Sequence, residues 1–267
     1  MKALAAVGDN VSDIYPSLGR AFPGGNALNV AVAARKAGMD AAYLGAIGTD
    51  EAGRAIKAAL DSEGVRTERL RIVEGPNAYS VVELDGGDRR FVGYGLGVSR
   101  FVLDARDLEY LEQFDCVHSG ARSGTEEQME DMASAARLSF DFSDRPSEYW
   151  EPLLDKVWMA CFSGTGLDTD GVHELTRQVL RAGPEVLLIT EGSRGASIST
   201  AYGETVHADA EPVTPLDTLG AGDAVIGTVL AGVLRGDDLG VVMSSAMSVA
   251  AQVCAHHGAF GQGRPFC

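Results

Sequence analysis

Apolar positions along the chain fall in short blocks separated by glycines and charges, and their spacing changes from block to block. Residues 2–7 form a compact apolar run that stops at Gly8, the pattern of a buried strand. Residues 11–15 alternate enough to be a second strand. Gly24-Gly25-Asn26 then opens a helix over 27–36, with Asn26 as its N-cap and Gly38 as its terminator. Residues 41–47 read as the next strand and 51–62 as the next helix. Two strand-like runs, 79–84 and 89–92, flank Asp85-Gly86-Gly87-Asp88 and predict a hairpin with a charged tip. Beyond it, strands are expected at 116–119, 138–142, 157–162 and 186–190, and helices at 125–137 and 171–181. A second hairpin is expected across 196–208, followed by two long helices at 221–235 and 237–256.

Strands alternating with helices predict an α/β fold whose mostly parallel sheet is covered on both faces. Ligands in such folds bind beyond the carboxyl ends of the strands. Segments 11–23 and 76–98 break the alternation and are expected to form a small β lid over one edge. No interdomain linker, low-complexity tract or internal repeat is visible, so residues 1–267 are read as one domain.

The 267 residues are 45% hydrophobic and 22% charged, an ordinary globular composition with enough length for a large core. The net charge of −16 comes from 22 Lys plus Arg against 38 Asp plus Glu, which disfavours a nucleic-acid partner. It does not forbid a nucleotide, because backbone donors, a few basic residues and Mg²⁺ can hold phosphates locally. Cys116, Cys161, Cys254 and Cys267 form no C-x-x-C pair or metal-ligand spacing. The first residues become acidic too soon for a signal peptide, and no apolar run approaches the ~18 residues of a membrane span. A cytoplasmic chain without a membrane partner is therefore expected.

Several chemistries are absent from the sequence. It has no G-x-x-x-x-G-K-[ST], which excludes a P-loop, and no G-x-G-x-x-G after the first strand. Neither H-E-x-x-H nor G-x-S-x-G occurs. His256-His257 lacks partners at zinc spacing, and His118 reads as a satisfied histidine of the core or cleft.

Residues 217–223, Asp-Thr-Leu-Gly-Ala-Gly-Asp, stand at a loop-to-helix junction. Gly220, Ala221 and Gly222 have little side-chain bulk, so their N–H groups can approach an anion at a helix N-terminus. Asp223 falls in the first turn beside those donors. Phosphoryl transfer needs charge stabilisation on the moving group and a base for the attacking hydroxyl, and the segment offers both. Spacing alone leaves a plain helix cap equally open.

The whole string resembles the C-terminal signature of the ribokinase-like (PfkB-type) carbohydrate kinases. Residues 24–31, Gly-Gly-Asn-Ala-Leu-Asn-Val-Ala, resemble their N-terminal signature, and the similarity runs from Gly8-Asp9 to His257-Gly258-Ala259. The strings Asp13-Ile14-Tyr15-Pro16 and Asp141-Phe142-Ser143-Asp144 resemble the branch of that family that phosphorylates fructoselysine. The resemblance implies a three-layer α/β/α fold with a β lid and an ATP-dependent sugar kinase. Another ketose, a fructosamine or a nucleoside is the alternative substrate within the class. A non-catalytic sugar-binding or regulatory protein is the alternative outside it.

The resemblance also implies roles. Gly220, Ala221 and Gly222 form the anion hole, and Asp223 is the base. Asp13, Gly25 and Asn29 bind the sugar; the plainer reading of Asp13 is a turn aspartate ahead of Pro16. Asn26 is read as a cap and not as a ligand. Thr190, Gly192 and Gly195 form the nucleotide loop, with Arg194 near the phosphates or solvated. Asp217 and Thr218 build the monovalent-cation site often found in the family, so K⁺ joins ATP and Mg²⁺ among the expected ligands. Arg89 at the hairpin tip either reaches substrate or pairs with Asp88. Arg122 is read as a fork for the carboxylate of an amino-acid-linked sugar. The family's Asn-x-x-Glu has no clear counterpart across residues 162–168, where Asp168 is the nearest acid, and the region of Met247 offers packing and no polar readout of a base. Family lids often pair between subunits, so a homodimer through the lid is expected.

Overall fold

The computed structural model describes residues 1–85 and 88–266, without the side chains of residues 84–89. The first half of the chain contains β1 (Ala3–Val7), β2 (Val11–Tyr15), β3 (Arg20–Gly24), α1 (Asn26–Lys36), β4 (Asp40–Leu44), β5 (Ala46–Gly48), α2 (Glu51–Ser62), β6 (Arg71–Val73), β7 (Tyr79–Asp85), β8 (Asp88–Gly95) and α3 (Ala105–Leu111). The second half contains β9 (Cys116–Gly120), α4 (Met129–Ala135), β10 (Arg137–Ser143), α5 (Ser147–Trp150), β11 (Met159–Ser163), α6 (Thr169–Ala182), β12 (Val186–Thr190), β13 (Ala196–Thr200), β14 (Thr205–Ala208), α7 (Ala221–Arg235), α8 (Leu239–Cys254) and β15 (Arg264–Pro265).

Among the described residues, the main sheet has eight strands in the order β14-β13-β12-β11-β10-β9-β1-β4. It is parallel from β12 to β4, and β13 and β14 close one end antiparallel. Side chains along each strand alternate between two cores. Leu4, Ala6, Met159, Cys161 and Leu188 pack with α1, α7 and α8, whereas Ala5, Val7, Ala160, Phe162 and Ile189 pack with α3, α4 and α6. Both faces are buried, which is why these strands read as continuous apolar runs. The result is the expected α/β/α layering.

The second sheet has the order β15-β3-β2-β7-β8. It is tied to the main sheet by buried amides. Asn10 donates to Tyr43 Oη (3.0 Å) and Ala46 O (2.7 Å), and its Oδ1 accepts from Asn77 Nδ2 (3.0 Å). Among the described residues, no helix is long and apolar enough to cross a membrane.

Three local expectations change. The strand at 41–47 divides at Gly45, whose added Cβ would stand 2.2 Å from Tyr43 Oη, and β5 leaves the main sheet to pair with β6. The helix at 125–137 shrinks to α4, because Arg137 already pairs with Cys116 as the first residue of β10. Asn26 is not a cap. The N–H groups of Asn26 and Ala27 are taken by the Asp9 carboxylate at 2.9 and 3.2 Å, so a loop aspartate from the end of β1 caps α1.

α1 and α7 approach closely at Gly227, where an added Cβ would lie 2.6 Å from Ala33 Cβ and 2.9 Å from Val30 O. Gly227→Ala must push the two helices apart. It is expected to cost about 1–3 kcal/mol in urea-unfolding free energy and to lower the turnover rate with it, since the same pair of helices carries the residues below. Unchanged stability and rate in that variant would disconnect the packing from the site.

Candidate active site

The site lies at the carboxyl edge of the main sheet. β1 ends beside Asp9, β9 at Gly120, β10 beside Asp141, β11 at Ser163 and β12 at Thr190. The head of α7 completes it. Gly220 caps α7 with φ 79°, and a Cβ there would stand 2.2 Å from Ala259 Cβ, so only glycine fits. Nothing lies within 4 Å of a Cβ built on Gly222, which is exposed. The first N–H groups of α7 thus head a dipole that opens on free space beside small residues, a place suited to an anion.

Asp217, just ahead, is fully buried. Its Oδ1 accepts from Leu219 N (2.9 Å), and its Oδ2 accepts from Gly258 N (3.0 Å) and Tyr15 Oη (2.6 Å). This carboxylate folds the anion loop onto the turn at Gly258 and ties β2 of the small sheet to it.

Asp223 is half-buried in the first turn of α7. Two amides from α1 hold its carboxylate. Asn26 Nδ2 donates to Oδ1 at 2.8 Å and Asn29 Nδ2 to Oδ2 at 2.7 Å. The second N–H of the Asn26 amide goes to Asp141 Oδ2 at 2.8 Å. Asn26 Oδ1 faces His118 Nε2 at 3.3 Å, in space that a Cβ on Gly120 would fill at 2.5 Å. Since that oxygen only accepts, His118 carries its proton on Nε2, and Nδ1 accepts from Ser139 Oγ (3.1 Å). Burial pushes His118 down to about 3, so the ring is neutral. Burial, then the Asp223 charge, pushes Asp141 up to about 7. Asn29 Oδ1 is buried and has no partner among the described residues.

Asp13 is 2% exposed and accepts from Ser80 Oγ. Its Oδ2 occupies the place of a Gly24 side chain, 2.0 Å from where that Cβ would stand. Gly25 has φ 112° and leaves no room for a Cβ, which would meet Asn10 Cα at 2.6 Å. The N-terminal Gly-Gly therefore admits the Asp13 carboxylate and lets α1 start against the 9–10 backbone.

The remaining candidates stand farther out. Thr190 is half-buried and donates to Phe162 O at 3.4 Å. Gly192 is exposed, and Gly195 is required by packing, since a Cβ would meet Ala208 O at 2.0 Å. Arg194 donates to Gly164 O (3.1 Å) and Leu167 O (2.7 Å), which makes it a loop clamp. Asp168 caps α6 through Gly171 N (2.8 Å), so it does not stand in for the missing glutamate. Met247 is buried in the core. Arg122 is exposed in the loop after β9, whose Ser123 Oγ donates to Asp9 Oδ1 at 2.8 Å. The Arg89 side chain lies outside the described residues.

Of the residues expected from the sequence, Asp223 and Asn29 meet and Asp217 is buried just ahead of them, while Asp9, Asn26, Asp141 and His118, not named there as partners, join the network. One signal was available: Asn26 and Asn29 are three residues apart on a helix and therefore share a face. A carboxylate fixed by two donors beside a helix N-terminus can take a proton from a hydroxyl while the helix head steadies an anion.

The pfkB family carbohydrate kinase profile matches residues 9–262. Fructosamine kinase FrlD of Bacillus subtilis (strain 168) is 34% identical over 269 residues, covering 98% of this chain and 94% of the relative. Fructoselysine 6-kinase of Escherichia coli (strain K12) is 34% identical over 263 residues, covering 97% and 100%. A structure of Arabidopsis thaliana ribokinase complexed with ribose and ATP superposes with a TM-score of 0.82 at 19% identity, over 98% of this chain and 95% of that one. The chain belongs to the pfkB family of carbohydrate kinases.

Proposed function

We propose that this carbohydrate kinase transfers the γ-phosphoryl group of ATP to a primary hydroxyl of a fructosamine, with fructoselysine, giving fructoselysine 6-phosphate and ADP, as the leading substrate. The observation that carries the reading is the Asp223 carboxylate, clamped at the head of α7 by Asn26 and Asn29. The names of the relatives at 34% identity, matched over nearly their full length, support the substrate class. A fructokinase of Salmonella typhimurium at 30% identity keeps a plain ketose as the second reading.

In this mechanism the sugar lies between Asp13, Gly25, Asn29 and the small sheet. The unpartnered Asn29 Oδ1 suits a sugar hydroxyl, because a buried acceptor left unmade is costly. Asp223 takes the proton of the attacking hydroxyl. Backbone donors at Gly220, Ala221 and Gly222 steady the charge on the transferred group. The nucleotide runs along Thr190, Gly192 and Gly195. No group of three or more ligating side chains is found among the described residues, which fits Mg²⁺ carried largely by the phosphates of ATP. Asp217 and Thr218 are the residues that would face a monovalent cation. The Asp217 carboxylate is already met by Tyr15, Leu219 and Gly258, so the fit is poor and K⁺ is given no step. The small sheet acts as a lid that excludes water and limits ATP hydrolysis, and the reaction belongs in the cytoplasm. β8 is an edge strand with Phe91 and Tyr94 at 56% and 77% exposure, followed just past its end by Leu96 at 69%, a surface suited to pairing with a second copy through the lid.

Three measurements follow. Wild-type protein with MgATP is expected to release ADP with fructoselysine faster than with fructose, ribose or a nucleoside, and Asp223→Asn to lower kcat by about 10²–10⁴-fold. No sugar-dependent ADP from folded protein across that panel would sink the kinase reading. Arg122→Ala is expected to raise KM for fructoselysine and leave KM for fructose unchanged; equal effects on both would remove its carboxylate role. Sedimentation is expected to give the mass of two chains, and a monomer at micromolar concentration would refute lid pairing.

A further inference from the structure

Asp141 has no part in the mechanism above, yet its carboxylate is committed to the reaction centre. It stands near the end of β10, at a break in register with β11, where Ser143 adopts φ 53°, a left-handed conformation uncommon for a residue with a side chain. The carboxylate holds that bend. Its Oδ1 accepts from Ser143 N (2.7 Å), and its Oδ2 accepts from Ser143 Oγ (3.3 Å) and Asn26 Nδ2 (2.8 Å). The bend thus presents one carboxylate oxygen to the amide that also holds Asp223.

The groups around Asp141 leave it without positive charge. Asp223 on α7 and Asp9 at the end of β1 both face it and push its proton affinity up. Cys161 on β11 is held as the thiol by burial, with Asp141 adding to the effect. His118 on β9 is neutral and reaches the cluster only through Asn26. Arg145 is turned to Ala121 O (3.2 Å) and lies over the Tyr149 ring.

We infer that Asp141 is a positioning residue of the transfer reaction, acting through the Asn26 amide to fix the Asp223 carboxylate. The inference rests on Asp223 as the base and is independent of which sugar is phosphorylated. The physical basis is a count of hydrogens. The Asn26 amide has two N–H groups, one for each carboxylate, and its oxygen is taken by the His118 Nε2–H. The amide cannot turn without losing all three bonds. Without the Asp141 acceptor it loses one of its two fixed ends, and its hold on Asp223 Oδ1 loosens while the bond from Asn29 to Oδ2 remains. The carboxylates are also linked electrostatically: two like charges joined through one amide ionise as a pair, in two steps that belong to neither residue alone.

The test uses two readouts. The first is the pH dependence of kcat/KM for ADP release, with fructoselysine or whichever sugar of the panel the wild type phosphorylates. Asp141→Ala is expected to lower kcat by up to about 10²-fold with KM for ATP unchanged, and to lose a rise in rate near pH 7 that the wild type shows as Asp141, pushed up to about 7, ionises and becomes the stronger acceptor for Asn26. A purely structural role would lower the rate alike at every pH. The second readout needs no sugar and no active variant: the carboxyl ¹³C titration of Asp141 by NMR in wild type and in Asp223→Asn. Its midpoint is expected to fall when the Asp223 charge is removed. The proposal is overturned by a pH profile of the same shape in wild type and in folded Asp141→Ala, or by an Asp141 titration that is the same in both proteins. A wild type inactive on every fructosamine but active on fructose would overturn the substrate reading and leave this test intact.

Discussion

The site depends on one contact between helices. The Asp223 carboxylate, the proposed base, is carried by α7, and the amides that hold it by α1. Those hydrogen bonds exist only because the helices pack with backbone almost touching at Gly227. Helix packing, not a loop, sets the position of the carboxylate, and elements packed in a dense core hold a geometry more tightly than loops do. The N-terminal end of the same helix is positioned by a second carboxylate, Asp217, buried under the turn at Gly258.

A chain of net charge −16 that handles phosphates needs local positive potential without many basic side chains. In the proposed mechanism the head of α7 supplies it, through N–H groups and the helix dipole. The acidic groups beside it are managed by amides and a neutral histidine, and Asp141 is pushed toward protonation at neutral pH. Amide donors hold a carboxylate in place without neutralising it, as an arginine would, so the charge that must accept the proton stays available.

Much of this was readable in the sequence, and the pattern of what was not has a physical cause. The parallel sheet was visible because strands buried on both faces are unbroken apolar runs, as in β1 and β12. Asp223 stood out because it is contiguous with the Gly-Ala-Gly stretch at a helix start. Asn26 was misread because an asparagine after Gly-Gly at a helix start fits the cap preference, whereas the actual cap, Asp9, lies 17 residues upstream on another loop. His118 is the satisfied core histidine expected, but its link to Asn26, and that of Asp141, could not be read because they join strand ends that only the folded sheet brings together. The division of β4 from β5 turns on the Tyr43 hydroxyl packed against Gly45, a contact that apolar patterning does not encode.

The central claim is that the α1 amides and the α7 carboxylate work as one unit in phosphoryl transfer. A double-mutant cycle on kcat for sugar-dependent ADP release, built from Asn26→Ala, Asp223→Asn and the pair, measures that directly. Strong non-additivity is expected, with the double variant no slower than Asp223→Asn alone, since Asn26 acts through the carboxylate it holds. Multiplying effects, as for two independent residues, would contradict it.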